Sequence, residues 1–182
     1  AIEADLATAV RACRDLLIVV PSHAFREVIK NTAGFLAEDA RIAWATKGLE
    51  QGSGKFMSAV LEEELGTKYP AAVVSGPTFA LEVARGLPTA LTVASNNPPF
   101  ANDMAARLHG DVMRAYTSDD MLGVQLGGTV KNVLSSASGI TDGLQLGANS
   151  RAALITRGLA EIIRLGDAMG ARRETLMGLA GV

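Results

Sequence analysis

The sequence predicts an α/β fold, a parallel sheet with helices on its faces, which gives way to an all-helical segment in the last third of the chain. Short β-rich runs alternate with helical segments through the first 118 residues, the signature of a parallel sheet covered by helices. That alternation stops at Asp119, and only helical patterns follow. Of the 182 residues, 48% are apolar, 20% charged and only 4% aromatic, a balance suited to helices packed closely on a sheet.

Element by element, Asp15 to Val20 reads as a strand buried on both faces. Ser22 is expected to cap a helix whose apolar positions Phe25, Val28, Ile29 and Phe35 fall at helical spacing. Arg41 to Thr46 is a second strand, followed by a loop with Gly48, Gly52 and Gly54 and a helix from about Lys55 to Leu65. A third strand spans Ala71 to Ser75. Gly76, Pro77 and Thr78 follow, with Pro77 suited to the first turn of a short helix that ends near Gly86. Thr89 to Ser95 is a further strand, Asn96 to Pro99 a turn and helix start, Phe100 to His109 a helix, and Val112 to Thr117 the last strand. Helices are then expected over about Asp119 to Thr141, Asn149 to Met169 and Arg173 to Ala180, broken by Gly143, Gly147 and Gly170. A boundary near Thr117 to Asp120 divides the chain into domains at 1–118 and 119–182.

Several function classes are disfavoured at once. A net charge of -2 without a basic run interleaved with aromatics argues against nucleic acid or an anionic membrane as partner. The longest apolar run, Leu16 to Pro21, is too short to span a bilayer, so no stable membrane insertion is expected. Cys13 is the only cysteine, which rules out an intrachain disulfide and favours a reducing, cytoplasmic compartment. Its expected role is a small apolar side chain on the helix before Leu16. Glu3 and Asp5 near the start do not resemble a secretory signal, and the chain lacks an initiating Met, which suggests a trimmed or partial chain.

The motifs narrow the chemistry further. In the stretch from Gly48 to Phe56, Leu49 stands where a phosphate-binding P-loop needs its first glycine, and Phe56 where it needs Ser or Thr. No G-x-G-x-x-G follows a strand. His23 and His109 have no Cys or carboxylate at ligand spacing and read as solvated or capping residues, so no metal is expected. Neither Ser22 nor Ser75 sits in a nucleophile elbow. Glu62 to Glu64 and the Arg172-Arg173 pair read as solvated helix faces and termini.

What remains is the set of strand ends, Pro21-Ser22, Lys47-Gly48 and Ser75-Gly76-Pro77-Thr78, which in an open parallel sheet line up along the edge where ligands bind. Lys47 at a strand mouth either points into that crevice or is a loop lysine in water. Gly76 either lets the backbone approach a ligand, with helix-start amides as anion donors, or marks a plain turn. Lys131 stands in a stretch with no other charge from Met121 to Thr141. An ammonium among Leu, Val, Ala and Gly needs either a polar cavity or a path to the surface, and both readings stand on position alone. On its helix, Leu122, Leu126, Val130, Val133, Ala137 and Ile140 form an apolar stripe, and Gln125, Gly128, Lys131, Asn132 and Ser135 a polar one. Gly127 and Gly128 each lower helix propensity by about 1 kcal/mol, which suits a close approach by another backbone or a ligand. Lys131 is therefore expected at a cleft between domains, opposite Lys47.

Five segments together carry a family resemblance: Val19-Val20-Pro21-Ser22, Trp44 to Gly48, Ser75 to Ala80, Gly86 to Thr89, and Gly123 to Val133. Asp142-Gly143, Gly147 to Asn149 and Leu154 to Glu161 extend it collinearly over essentially the whole chain. In this order they resemble bacterial NAD(P)-dependent glycerol-3-phosphate dehydrogenase. The resemblance implies the later part of a Rossmann-type dinucleotide-binding domain joined to the start of an all-α, 6-phosphogluconate-dehydrogenase-like substrate domain. The family's upstream glycine fingerprint and its downstream Asp and Arg-Asn pair have no counterpart in this chain.

Carried over residue by residue, the resemblance makes Lys131 the proton donor and acceptor at the substrate oxygen and a substrate contact. It makes Lys47 a lysine shared by substrate and cofactor sites, Gly76 and Thr78 substrate contacts, and Ala80, Pro21 and Phe25 cofactor contacts. The implied cofactor is NAD or NADP, the implied substrate a small-molecule phosphate, and the implied assembly a homodimer of the full-length parent. The implied activity interconverts sn-glycerol 3-phosphate and dihydroxyacetone phosphate, supplying glycerol 3-phosphate for phospholipid synthesis, although the isolated chain is expected to be inactive. The rival enzymatic reading is another two-domain Rossmann and helical dehydrogenase, disfavoured by Ser75 to Thr78. The rival outside enzymology is a non-catalytic scaffold; both lysines speak against it for the parent, while it stays open for the isolated chain.

Overall fold

A computed structural model describes residues 2–179. Along the chain run α1 (Leu6–Arg11), β1 (Asp15–Ile18), α2 (Ser22–Ala33), β2 (Arg41–Trp44), α3 (Met57–Leu65), β3 (Ala71–Ser75) and α4 (Ala80–Ala84). They continue with β4 (Thr89–Ser95), α5 (Pro98–Leu108), β5 (Met113–Ser118), α6 (Met121–Gly143), α7 (Gly147–Met169) and α8 (Arg173–Leu176). The strands form one sheet in the order β1-β2-β3-β4-β5. The predicted end of the last helix, Ala180, lies outside the described residues.

The sheet is parallel in three of its pairings, but β4 runs antiparallel to β3, with Ser75 opposite Thr92 and Ala72 opposite Ser95. The expected parallel sheet is thus parallel-dominated, with this one antiparallel pairing. Its cause is the connection over residues 76–88, which holds only the five-residue α4. The five residues of α4 rise only about 7.5 Å, less than half the roughly 17 Å length of β3, so the chain turns back at the edge where β3 ends instead of returning to the far end of the sheet. Pro77 consequently precedes α4, which starts at Ala80 with Phe79 in the cap position.

Side chains of the central strands alternate between two cores, as the two-residue period of a strand requires. Ile42, Trp44 and Val73 face Phe25 and Ile29 of α2, Met57, Val60 and Leu61 of α3, and Val124 of α6. Ala43, Ala72, Val74, Leu91 and Val93 face Phe100, Ala101 and Met104 of α5. Phe25 and Trp44 meet edge to face at 6.0 Å between ring centroids, both fully buried. Side chains of this size each contribute roughly 1.5–3 kcal/mol through burial.

β1 departs from its expected burial. Leu17 is 41% and Val19 68% exposed, because β1 is the edge strand and α5, on the face that Leu17 shares with Ala43, packs on β3, β4 and β5. Ser22 does not cap α2: Pro21 takes the cap position and Ser22 begins the helix without a side-chain capping bond. Phe35 lies beyond the end of α2, where the Arg11 guanidinium sits 4.9 Å from its ring centroid. Cys13 is exposed in the link between α1 and β1, not on the helix. Two of the glutamates read as solvated are engaged: Arg26 pairs with Glu63 at 2.7 Å and with Glu64, as well as with Glu50 at 2.6 Å. Arg172 and Arg173 are likewise paired, with Asp119 and Asp167 respectively.

β5 runs against β1 to β3, so its last residue, Ser118, lies level with Val73 in the middle of the sheet. From there Asp120 caps α6, its carboxylate accepting from the Gly123 N–H at 2.8 Å, and the helix climbs beside β3. Residues Gly123 to Gly128 are buried against the sheet and α3. Beyond Gly128, α6 runs along α7, and its apolar stripe differs from the expected one. Leu122, Leu126, Val130 and Leu134 pack with Ile162 and Leu176, while Val133 and Ile140 are 65% and 63% exposed.

Candidate functional site

The carboxyl ends of β1, β2 and β3 lie side by side, as the parallel register Ile18, Trp44 and Val73 requires. Each end is tied to the next. Thr46, just past β2, donates its hydroxyl to the Val20 carbonyl at 2.7 Å, and Lys47 reaches the other way to donate its ammonium to the Gly76 carbonyl at 2.9 Å. Lys47 thus points into the crevice rather than into water. The loop after it is folded on itself by a Leu49–Phe56 bridge and a Glu50 N–H bond to the Lys55 carbonyl at 2.9 Å. Arg26 then clamps Glu50, whose carboxyl is held down to about 2 by that guanidinium and by the Ser53 hydroxyl.

Gly76 is buried and packed closely on the sheet. A Cβ there would come within 2.6 Å of the Ala90 carbonyl oxygen and 2.8 Å of Leu91 Cα, so it is the backbone of β4 that approaches closely. Thr78 is half-buried beside it, its hydroxyl 3.5 Å from the Gly76 carbonyl. Ala80 and Pro21 are exposed beyond the ends of β3 and β1. Phe25, by contrast, is a core residue with no exposed surface, and its ring supports Trp44 beneath the site.

α6 brings the second lysine to this edge. Where the helix passes the end of β3, a Cβ on Gly128 would meet the Ser75 hydroxyl at 2.6 Å, so only glycine leaves room for this approach. Lys131 follows three residues later, roughly 4.5 Å farther along the helix axis. It opens one end of a groove of about 440 Å³ between α6 and α7, which is also lined by Ser135, Ser138 and Asp142. Burial pushes the Lys47 ammonium below the ordinary lysine range, and the nearby charge of Lys131 pushes it further. Lys131 is lowered by burial. A small cavity of about 10 Å³ lies between the β2 and β3 ends and α6, with Lys47, Ser75, Gln125 and Thr129 in its wall and no carboxylate. Lys47, partly desolvated beside a wall that holds no carboxylate and within electrostatic reach of Lys131, makes this edge electropositive, suited to an anion or to an oxygen that gains negative charge.

Two features of this site escaped the sequence reading. Gln125, placed on a polar stripe, is buried and bonded to Ser58 of α3. The Ser75 hydroxyl, set aside as a nucleophile, is buried against Gly128 and finds no hydrogen-bond partner among the described protein groups. The Gly127-Gly128 pair was the visible signal of a close approach, but nothing local named Ser75 as what approaches.

Comparison with known proteins adds to this geometry. Residues 1–101 match the family described as NAD-dependent glycerol-3-phosphate dehydrogenase N-terminus, and residues 120–182 the C-terminus of the same enzyme. The chain is 62% identical over 180 residues to glycerol-3-phosphate dehydrogenase [NAD(P)+] of Thioalkalivibrio sulfidiphilus, covering 98% of this chain and 54% of that protein. It is 56% identical to the Pasteurella multocida protein of the same name, across 100% of this chain and 54% of the other. Among solved structures it is similar to glycerol-3-phosphate dehydrogenase from Coxiella burnetii, with a TM-score of 0.93 and 52% identity over 98% of this chain and 55% of that one. The chain spans about half the length of the curated relatives it matches. Two lysines at the carboxyl edge of a mixed sheet, followed by a helical segment, and family matches over both parts lead to one assignment: the chain belongs to the NAD-dependent glycerol-3-phosphate dehydrogenase family.

Proposed function

We propose that this chain carries the reacting lysines of an enzyme that interconverts sn-glycerol 3-phosphate and dihydroxyacetone phosphate with NAD(P)(H). The single observation that carries the reading is the convergence of Lys47 and Lys131 at the sheet edge, both with lowered proton affinity. In the reductive direction a hydride adds to the carbonyl carbon of dihydroxyacetone phosphate and its oxygen gains negative charge. Lys131 stabilises that oxygen and gives it a proton, so that one C–H and one O–H bond replace the carbonyl π bond. In the oxidative direction Lys131 takes the proton back. Lys47, anchored on the Gly76 carbonyl, keeps the pocket positive beside the substrate, and Gly76 and Thr78 line the substrate side. A lysine with lowered proton affinity donates more readily near neutral pH, which suits this role.

The open strand edge fits part of a dinucleotide. Pro21 and Ala80 are exposed on either side of Lys47, while Phe25 supports the strand ends from below. NAD(P)H supplies the hydride when bound. We assign residues 1–118 to the cofactor domain and 119–182 to the substrate domain, with the parent a cytoplasmic homodimer that supplies glycerol 3-phosphate for phospholipid synthesis. Among the described residues no helix is long and apolar enough to cross a membrane.

In the full-length parent, Lys131→Ala is expected to lower turnover of dihydroxyacetone phosphate by orders of magnitude while NADH binding, followed by fluorescence, survives. Wild-type turnover in that variant would sink the role. Sedimentation of the parent tests the dimer.

A further inference from the structure

α3 begins with a helix end that its own sequence leaves open. The first N–H groups of a helix lack intrahelical partners, and the cap residue here, Phe56, has no side chain to satisfy them. Gln125 of α6 fills that place from across the structure. Its Oε1 accepts from the Ser58 N–H at 3.0 Å, and its Nε2 donates to the Ser58 hydroxyl at 3.0 Å and to the Met121 carbonyl at 3.3 Å. The side chain is only 7% exposed, so these bonds form where water competes little.

The bond joins the two lysines mechanically. α3 follows the folded loop that starts at Lys47, and Lys131 is six residues after Gln125 on one continuous helix, roughly 9 Å along its axis. The contact of Gly128 with Ser75 leaves no slack between these points. We propose that Gln125 is a positioning residue: its amide fixes the rotation and height of α6 against the start of α3, and so sets where Lys131 stands relative to Lys47. The inference rests on the reading of Lys131 as proton donor. A misplacement of about 1 Å in a reacting group can lower a rate by roughly 100-fold, so one interlock between rigid elements is enough to matter.

The test uses the full-length enzyme and the variants Gln125→Leu, Lys131→Ala and their combination. It reads kcat and KM for dihydroxyacetone phosphate, Kd for NADH, the pH profile of kcat, and the folded fraction by thermal melting. Per folded molecule, Gln125→Leu is expected to lower kcat at least tenfold and to displace the basic limb of its pH profile, with Kd for NADH within threefold of wild type. In the Lys131→Ala background the same substitution is expected to change kcat less than twofold, because its effect passes through the lysine. Gln125→Glu keeps the acceptor for the Ser58 N–H but lacks the amide donor. It covers the case in which leucine unfolds the enzyme, and should show the same dependence on Lys131 at smaller amplitude.

An equal loss from Gln125 substitution with and without Lys131, or an unchanged kcat per folded molecule, would overturn the positioning role. Undiminished turnover in Lys131→Ala alone would instead overturn the underlying reading of the site.

Discussion

The close passage of α6 over the end of β3 makes Gly128→Ala a quantitative test of the packing. An alanine there places its Cβ 2.6 Å from the Ser75 hydroxyl, about 0.8 Å inside the 3.4 Å at which ordinary contact begins. Two effects of opposite sign compete. Replacing a mid-helix glycine gains about 1 kcal/mol of helix propensity, and forcing a methyl into a filled interior typically costs about 1–3 kcal/mol. The neighbouring cavity of about 10 Å³ gives the displaced hydroxyl little room, so a net loss of about 1 kcal/mol is expected. Removing the obstacle should reverse the sign. With Ser75→Ala the nearest remaining atom is the residue-75 Cβ at 3.6 Å, an ordinary contact, so the propensity gain survives in the double variant. Equilibrium urea denaturation of the wild type, both single variants and the double variant measures the coupling, expected at about 1–3 kcal/mol in favour of the pair. A stabilised Gly128→Ala in the presence of Ser75, or strictly additive changes, would refute the steric argument.

Other outcomes follow from the same contacts. Lys131→Met should raise the proton affinity of Lys47 by removing one of the two causes that lower it, leaving burial, as an NMR titration of labelled lysine side chains would read. Because the folded form of Lys47 binds its proton more weakly than the ordinary lysine value of 10.5, the wild type should gain stability relative to Lys47→Met as pH rises from the lowered value toward 10.5. A difference flat in pH would count against the burial of its charge. The Arg41 guanidinium, 8% exposed, grips Asp15 at 2.6 and 2.7 Å and holds its carboxyl below the usual range. Arg41 keeps Asp103 at 2.6 Å, so Asp15→Asn should cost about 1.5–3 kcal/mol in thermal or urea unfolding, the range for a hydrogen bond between charged groups. The Asp15 contribution is present above the unfolded carboxyl value of about 3.9 and disappears as pH falls through the lowered folded value. An acid transition unchanged by Asp15→Asn would contradict it.

Much of the fold was legible because its signals are local. The strand over Ala71–Ser75 and that over Thr89–Ser95 fall where their apolar runs begin and end, and Asn97 caps α5 next to Pro98 as the turn residues imply. The direction of β4 was not legible, since an apolar run reads the same both ways and only the shortness of α4 within the 76–88 connection decides it. Burial of β1 was misread for a related reason: the run from Leu16 to Val20 is apolar whether a neighbour covers it or not, and edge position is a property of the whole sheet. Within the site, Lys131 and Lys47 stood out as charges at strand and helix positions that seldom tolerate them. Gln125 and Ser75 did not, because each acts through one distant partner, Ser58 and Gly128 respectively, that no local pattern links to it.

The turn between β5 and α6 has a consequence for how the chain tolerates changes in length. One residue inserted or removed at Asp119 or Asp120 would rotate everything after it on α6 by about 100° and shift it by about 1.5 Å. Such a change would carry the Lys131 ammonium to another side of the helix while leaving every strand in register. The part of the 76–88 connection after Ala80, with Leu81 and Leu87 exposed, has no such phase to keep. Length variation is therefore expected to be absorbed there and rejected at the α6 cap, even though both segments are surface turns of the same sheet.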